Sequence, residues 1–406
     1  MRILFITSYD LTTNPRLAKE LNLAEELGWE TEFVGFDLGG WSTEIERKEA
    51  AKYRAKKVYL PARRRPVFKW LADVICERLS RLIYPLLPGS LKITAYAHSR
   101  RSRRLWKYLR GLRNKKYDLI VAHNLAALYP AWRLSRRLNI PFGFDVEDYH
   151  PGEAITRDVD NERRRREQLM QRLLPEAAYI TVAAPLIGDL VRKLIGRYPY
   201  DRIDLINNVF PDEEFVYIPP GQGKLRFVWF SQNIAPGRGL ELILPALAQF
   251  KDKLDLTLIG NLYPDFYASV LVRYRDFVNI RKPMPRKELN YVLGEFDIGL
   301  AIELSSADFN RQVCLTNKIW AYFQAGLYIL ATDTPAQQLF IQQFVDHGRI
   351  IPQSTQDIVS VIEQLIEQAD NIRRNKQARF TAARNYGWSK EKIKLKQLWE
   401  RTIKTS

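Results

Sequence analysis

Cys314-Leu-Thr-Asn-Lys-Ile-Trp-Ala-Tyr-Phe-Gln-Ala-Gly-Leu-Tyr-Ile-Leu-Ala-Thr-Asp-Thr-Pro335 reads as a helix that stops at Gly326 and feeds a buried strand, Leu327 to Ala331. The polar pair Asn317-Lys318 opens that helix. An amide and a cation beside the N–H groups of a helix start can hold an anion such as a diphosphate.

The same alternation extends on both sides. Toward the N-terminus the pattern predicts strands at Leu225 to Phe230, Leu254 to Ile259, Val278 to Arg281 and Phe296 to Ile302, and beyond Gly326 a further one at Arg349 to Ile351. The first half repeats the theme. Residues 2 to 7 are an apolar strand; Asn14-Pro15 supplies an N-cap and a proline at the first helical position; Gly28 ends the helix, and Thr31 to Val34 starts the next strand. A βαβ start implies a parallel sheet. Tyr117 to Ala122, Ile140 to Val146 and Tyr179 to Val182 are further buried strands, with a helix from about Ala126 to Leu138. Between them, Pro211 and Pro219-Pro220-Gly221-Gln-Gly223 sustain neither helix nor strand. The expected organisation is an α/β domain over 1–205, a linker over 206–223, a second α/β domain over 224–385, and a C-terminal helix over 386–406.

Ligands of open parallel sheets collect at the carboxyl ends of the strands. The strand exits here are polar: Asn14 and Arg16 follow the first strand, His123 and Asn124 another, and Glu147-Asp148-Tyr149-His150 a third. Each has a plain alternative, Asn14 as a helix cap and His123 as a polar loop residue. The group Asp145, Glu147, Asp148 and His150 suits either a divalent metal or the hydroxyls of a sugar acceptor. In the second half Gly237-Arg238-Gly239 follows a strand and precedes a helix, so backbone can approach a ligand closely and a guanidinium can grip phosphate in a bidentate fork. Gly260-Asn261 follows the next strand.

The order of Asn-Lys opening, aromatic helix, Ala325-Gly326, apolar strand and Asp333 resembles the donor-half signature of two-domain glycosyltransferases of the GT-B fold, especially the retaining family 4 type. The resemblance implies two tandem Rossmann-like domains facing across a cleft, with a nucleotide-sugar donor on the second, the acceptor on the first, and the final helix packing back on the first. It assigns Arg238, Lys318 and Asn317 to the donor diphosphate, with Gly237, Gly239 and Gly260 close to the nucleotide. It maps His123 onto a strand-end histidine and His150 beside the reacting carbon; with it, the polar strand exits give Glu147 and Asp148 to the acceptor hydroxyl and Asn14, Arg16 and Asn124 to the acceptor rim. It implies no metal and no cofactor besides the donor. Family members carry two glutamates eight positions apart; Val313 and Ala321 stand at those places here, leaving Glu303 or Asp308 to substitute.

Composition narrows the alternatives. A chain of 406 residues suits two domains of roughly 200 residues each. Two cysteines far apart and four histidines exclude a disulfide framework and offer no zinc spacing, which favours a reducing compartment. No apolar run approaches the roughly 18 to 20 residues of a membrane span. Met1 to Thr7 lacks a small-residue cleavage site after it and reads as a strand, not a signal peptide. The net charge of +17 attracts polyanions, and its clusters, Arg63-Arg64-Arg65, Arg100-Arg101, Arg103-Arg104, Lys115-Lys116, Arg136-Arg137 and Arg163 to Arg166, all lie in the first half. From Arg54 to Arg113 these cations are mixed with Val67, Phe68, Trp70, Leu71, Ile75, Leu79, Leu82 and Trp106, a pattern that suits a membrane interface or an ordinary core with solvated charge.

The expected function is glycosyl transfer, with retention, from a nucleotide-sugar to a saccharide or lipid-linked acceptor in envelope polysaccharide or glycolipid synthesis. The expected place is the cytoplasm or the cytosolic face of an anionic membrane. A catalytically silent GT-B scaffold that binds a glycan or partner protein is the second reading, motivated by Val313 and Ala321. A nucleic-acid binder is the third, motivated by charge alone, since no helix-turn-helix, RRM or zinc pattern is present; no nucleic-acid partner is expected.

Overall fold

The structure, a computed structural model, describes residues 1–39, 42–64, 66–112, 114–196 and 202–404. Arg65 and Arg113, counted above among the basic residues, lie outside them. The chain divides into two compact units, Met1–Ile206 with Lys392–Ser406, and Asn207–Glu391.

The first unit is built on a seven-stranded parallel sheet: β1 (Arg2–Thr7), β2 (Glu30–Asp37), β3 (Lys56–Pro61), β4 (Leu119–His123), β5 (Phe142–Val146), β6 (Tyr179–Val182) and β7 (Ile203–Leu205), in the spatial order β3-β2-β1-β4-β5-β6-β7. The inner strands are apolar on both faces because helices cover both sides. Asn14 caps the helix Pro15–Glu26, its side chain accepting from the Leu17 N–H at 3.1 Å. Gly28, at φ +73°, turns the chain out of that helix toward β2.

Residues from Lys392 on complete this unit. Leu395, Leu398, Trp399 and Thr402 recur at helical spacing along Trp388–Lys404 and are buried. The Trp399 indole lies 6.1 Å from the Phe5 ring and 5.9 Å from Trp29, and its Nε1–H donates to the Tyr179 hydroxyl at 2.8 Å. The last helix thereby contributes to the core around β1 and β6.

The second unit holds a six-stranded parallel sheet: β8 (Leu225–Ile234), β9 (Leu254–Leu262), β10 (Val278–Arg281), β11 (Ile298–Ala301), β12 (Tyr328–Thr332) and β13 (Gly348–Ile351), ordered β10-β9-β8-β11-β12-β13. Phe227, Trp229, Leu256, Leu258 and Leu300 fill its core. Gly299 makes room for the Tyr322 ring, which an added Cβ would meet at 2.3 Å. Residues 207–223 pack on this unit: Phe210 and Gln324 exchange hydrogen bonds of 2.8 and 2.9 Å, and Glu214 accepts from Arg286 and Asn290.

The fold class is therefore two Rossmann-like α/β units, as the alternation predicts. Two edge strands go beyond it. β3 and β7 are edge strands, one rich in lysine and one only three residues long, so neither shows the apolar run that marks the interior of a sheet. β8 also continues past a bulge between Phe230 and Asn233.

Charge is divided as sharply as structure. The first unit carries 43 Lys and Arg against 26 Asp and Glu, the second 20 against 20, so the whole +17 belongs to the first.

Because Trp399 fills space between β1 and β6, Trp399→Ala should cost about 3–5 kcal/mol of stability. Trp399→Phe, which keeps a ring and loses the hydrogen bond to Tyr179, should cost less. Urea unfolding midpoints of the two variants check the order, and equal midpoints for Trp399→Ala and the parent would refute it.

Candidate functional site

In each sheet the strand order reverses once, between β1 and β4 in the first unit and between β8 and β11 in the second. Such a reversal leaves a crevice outside the carboxyl ends of two neighbouring strands.

In the first unit that position opens into a cavity of about 910 Å³, lined among others by Ser8, Tyr9, Asn124, Glu147, Asp148 and His150. β1 and β4 are joined at their ends by a 2.6 Å hydrogen bond from the Thr7 hydroxyl to Asn124 Oδ1. Asn124 itself has φ +66°, a region costly for a residue with a side chain, and it turns directly into the helix Leu125–Leu138. His150 is buried; its Nδ1 lies 3.1 Å from Glu153 Oε2, and its Nε2 has no hydrogen-bond partner among the described residues. Arg166 holds this pair in place, donating to the His150 carbonyl at 2.8 Å and to Glu153 at 3.3 Å. Arg166 Nε also donates to Glu162, which meets His98 Nδ1 at 2.5 Å and accepts from Arg165 Nε at 2.9 Å. Burial pushes the His150 imidazole down, but the Glu153 carboxylate outweighs it and the net direction is up. Glu162, despite burial, is held down at about 2 by His98 and Arg165.

The Glu147 carboxyl behaves differently. Burial, then the negative charge of Asp148 and of Asp145, pushes it up to about 7. A carboxyl that changes state near neutrality can accept or give a proton under ordinary conditions.

The other acceptor-side residues are enclosed in protein and do not line this cavity. Arg16 is 1% exposed, its Nε 2.9 and 2.8 Å from the two oxygens of Asp145 and its Nη1 2.6 Å from the Ile206 carbonyl. His123 sits between Glu20 Oε2 at 3.1 Å and Asp145 Oδ2 at 3.4 Å. Burial opposes its charge, yet Glu20 and Asp145 push it up to about 10. Asn14 is spent on its helix cap and on Thr7. The residues expected beside an acceptor thus separate: Asn124 borders the cavity, while Asn14, Arg16 and His123 hold together the strands beneath it.

In the second unit the turn Gly237-Arg238-Gly239 follows β8. Gly237 and Gly239 both have positive φ, and a Cβ on Gly239 would meet Ile302 Cγ2 at 2.3 Å. The turn therefore lies against the segment that leaves β11. There Glu303, buried, receives two cations: Lys318 Nζ at 2.9 Å on one oxygen and Arg311 Nη1 at 2.9 Å on the other. Lys318 also stands 5.5 Å over the Trp229 ring. Burial raises the Glu303 carboxyl, but Lys318 and Arg311 hold it lower than usual. Asn317 is exposed at the first position of the helix Asn317–Gln324. Arg238, half-buried, makes no hydrogen bond or ion pair among the described residues. Gly260 serves packing, since a Cβ there would meet the Ser231 carbonyl at 2.3 Å beside the bulge.

Val313 and Ala321 are buried in this unit. The carboxylate that meets the cations comes instead from the end of β11. Sequence spacing leaves Glu303 and Asp308 equal; Asp308 caps the short helix Phe309–Val313 by accepting from Arg311 N–H, and Glu303 takes both cations. Arg311, Glu153 and Arg166 were not singled out by motif. The His150–Glu153 spacing of three is the one local signal for the second of these.

The sign of the Glu147 effect is checkable. Its folded value lies above the ordinary 4.5, so the fold favours the protonated carboxyl, and that contribution is lost as pH rises through about 7. Glu147→Gln cannot ionise, so its melting temperature relative to the parent should climb between pH about 5 and about 8. A difference that stays flat across that range would contradict the assignment.

Residues 13–209 match the family model of a glycosyl transferase 4-like domain. Comparison with curated proteins finds no match. Among solved structures, HepE of Anabaena in complex with UDP is similar at a TM-score of 0.64 and 13% identity, over 99% of this chain and 100% of that one. A glycosyltransferase of Rickettsia africae is similar at 0.64 and 11%, over 100% and 99%. Sucrose-phosphate synthase of Thermosynechococcus elongatus is similar at 0.64 and 13%, over the whole of both chains. Residues 13–209 thus match a glycosyl transferase 4-like domain, and the chain as a whole shares the two-unit α/β fold, GT-B, of these glycosyltransferase structures.

Proposed function

We propose that the chain transfers a sugar, with retention, from a nucleoside-diphosphate sugar held by the second unit to an acceptor held by the first. The observation that carries this reading is the pair of cations, Lys318 and Arg311, set on one buried carboxylate beside the glycine turn that bears Arg238. A departing diphosphate gains negative charge as the glycosidic bond breaks, and cations already fixed at that place lower the barrier without reorganising. Arg238 adds a guanidinium without a competing partner, and Asn317 adds an amide at a helix start. These charges supply what a divalent metal would otherwise supply, so the reaction needs none. HepE was solved with UDP and with UDP-glucose, which makes uridine diphosphate sugars the first donors to try.

In the first unit His150 borders the cavity that receives the acceptor, its ring fixed by Glu153 and Arg166, and Glu147 and Asp148 place the acceptor hydroxyl. The acceptor is a saccharide or lipid-linked glycan of an envelope polysaccharide or glycolipid. A unit that carries all of the +17 charge suits work at an anionic membrane surface on the cytosolic side.

UDP binding by calorimetry and UDP release from a panel of UDP-sugars test the donor half. Arg238→Ala and Lys318→Met should each weaken UDP binding by roughly 10- to 100-fold, the worth of one charge-assisted hydrogen bond. Normal folding of Arg238→Ala is expected, since that side chain supports nothing else. If both variants bind UDP and turn over donor like the parent, the reading fails.

A further inference from the structure

The helix Val67–Ile83 has three different faces. Val74, Glu77, Arg78 and Arg81 line the polar cavity described above. Ile75, Cys76, Leu79 and Ile83 line a second, apolar groove of about 860 Å³, completed by Tyr96 and Trp106. At 3.6 residues per turn these two rows fall on opposite sides of the helix. Phe68, Leu71, Ile75, Leu79 and Leu82 form the ridge between them, and it faces solvent, with Phe68 70% and Leu82 73% exposed. Leu86 and Leu87, just past the helix, are exposed as well.

Charge accompanies both sides of the ridge. Arg78, Arg100 and Arg157 border the polar cavity and none of them makes a salt bridge among the described residues. Lys92, Lys107 and Arg110 border the groove, equally without a carboxylate partner. An apolar strip flanked by cations that no salt bridge ties down matches a ligand that is apolar along its length and anionic at its head.

We propose that the acceptor is an amphiphile with a phosphate-bearing head and a hydrocarbon chain, its head among Arg78, Arg100 and Arg157 and its chain laid across Ile75 and Leu79 into the groove beside Trp106. This rests on the reading that the polar cavity receives the acceptor, and it names the acceptor's chemical class. A saccharide without a chain would leave the groove and ridge in water; a chain without an anionic head would leave the arginines unmatched.

The test is calorimetry on the full chain with three probes: inorganic phosphate, dodecyl phosphate below its micelle concentration, and a neutral dodecyl glycoside. Dodecyl phosphate should bind at least roughly tenfold more tightly than either other probe, because buried methylenes and a charge-assisted head add. Ile75→Ser/Leu79→Ser, at two half-exposed positions, should erase the gain over inorganic phosphate. Arg78→Gln/Arg157→Gln should weaken dodecyl phosphate while leaving the neutral glycoside unchanged. Equal affinity of the parent for phosphate and dodecyl phosphate overturns the proposal, as does a chain-dependent gain that survives in the serine variant. So does a serine variant that only converts a dimer to a monomer, which would make the ridge a surface between copies. UDP titration of the same samples separates the two readings: UDP binding without the chain-dependent gain rejects the amphiphile alone, and the gain without UDP binding rejects the donor assignment alone.

Discussion

Asp145 is the fixed point of the first unit. Its carboxylate, at the end of β5, receives Arg16 from the helix after β1, His123 from β4 and the Thr181 hydroxyl from β6, and all are buried. Burial by itself would neutralise Asp145; Arg16, His123 and Thr181 keep it ionised. A buried charge of this kind contributes little as net stability but is costly to leave without its partners. It also acts at a distance of two residues, because its negative charge is one of the causes that hold Glu147 near neutrality. The polar cavity therefore inherits its chemistry from an ion cluster that lies outside it.

The second unit repeats the arrangement with its own buried carboxylate, Glu303. Two cations meet on one buried carboxylate, so Lys318 and Arg311 are fixed in place before any anion arrives. Gly239 allows the neighbouring turn to lie against Ile302, which brings the segment bearing Arg238 to the same edge of the sheet. Both units thus place their charged groups where the strand order reverses, the position that parallel topology leaves open.

Much of this was legible in residue order. Asn14-Pro15, Gly28, Gly326 and the apolar runs of the inner strands are local signals, and local signals report on elements whose surroundings are uniform. β3 and β7 escaped because edges of sheets tolerate lysine and short length. The burial of Arg16 and His123 escaped for a different reason: a charged side chain at a strand exit looks the same whether it faces a ligand or an internal counter-charge, and Glu20, Asp145 and His123 are brought together only by the fold. Likewise the spacing of Glu303 from Lys318 in sequence says nothing of their 2.9 Å contact. The mixture of cations and large apolar residues from Arg54 to Arg113 could be read as core or as interface; the structure divides it, burying Leu105 and Leu109 and leaving Phe68, Leu71 and Leu82 in solvent.

That solvent-facing ridge carries a colloidal hazard, since bare hydrocarbon on a protein surface invites copies to stick together. The charge imbalance of the first unit counters it. Two molecules bringing their ridges together would also bring together two strongly positive bodies, and mutual repulsion, weakening as salt is added, opposes that contact. The same excess of arginine and lysine that draws an anionic guest toward the ridge discourages homotypic clumping, so that solubility and recognition depend on a single electrostatic bias.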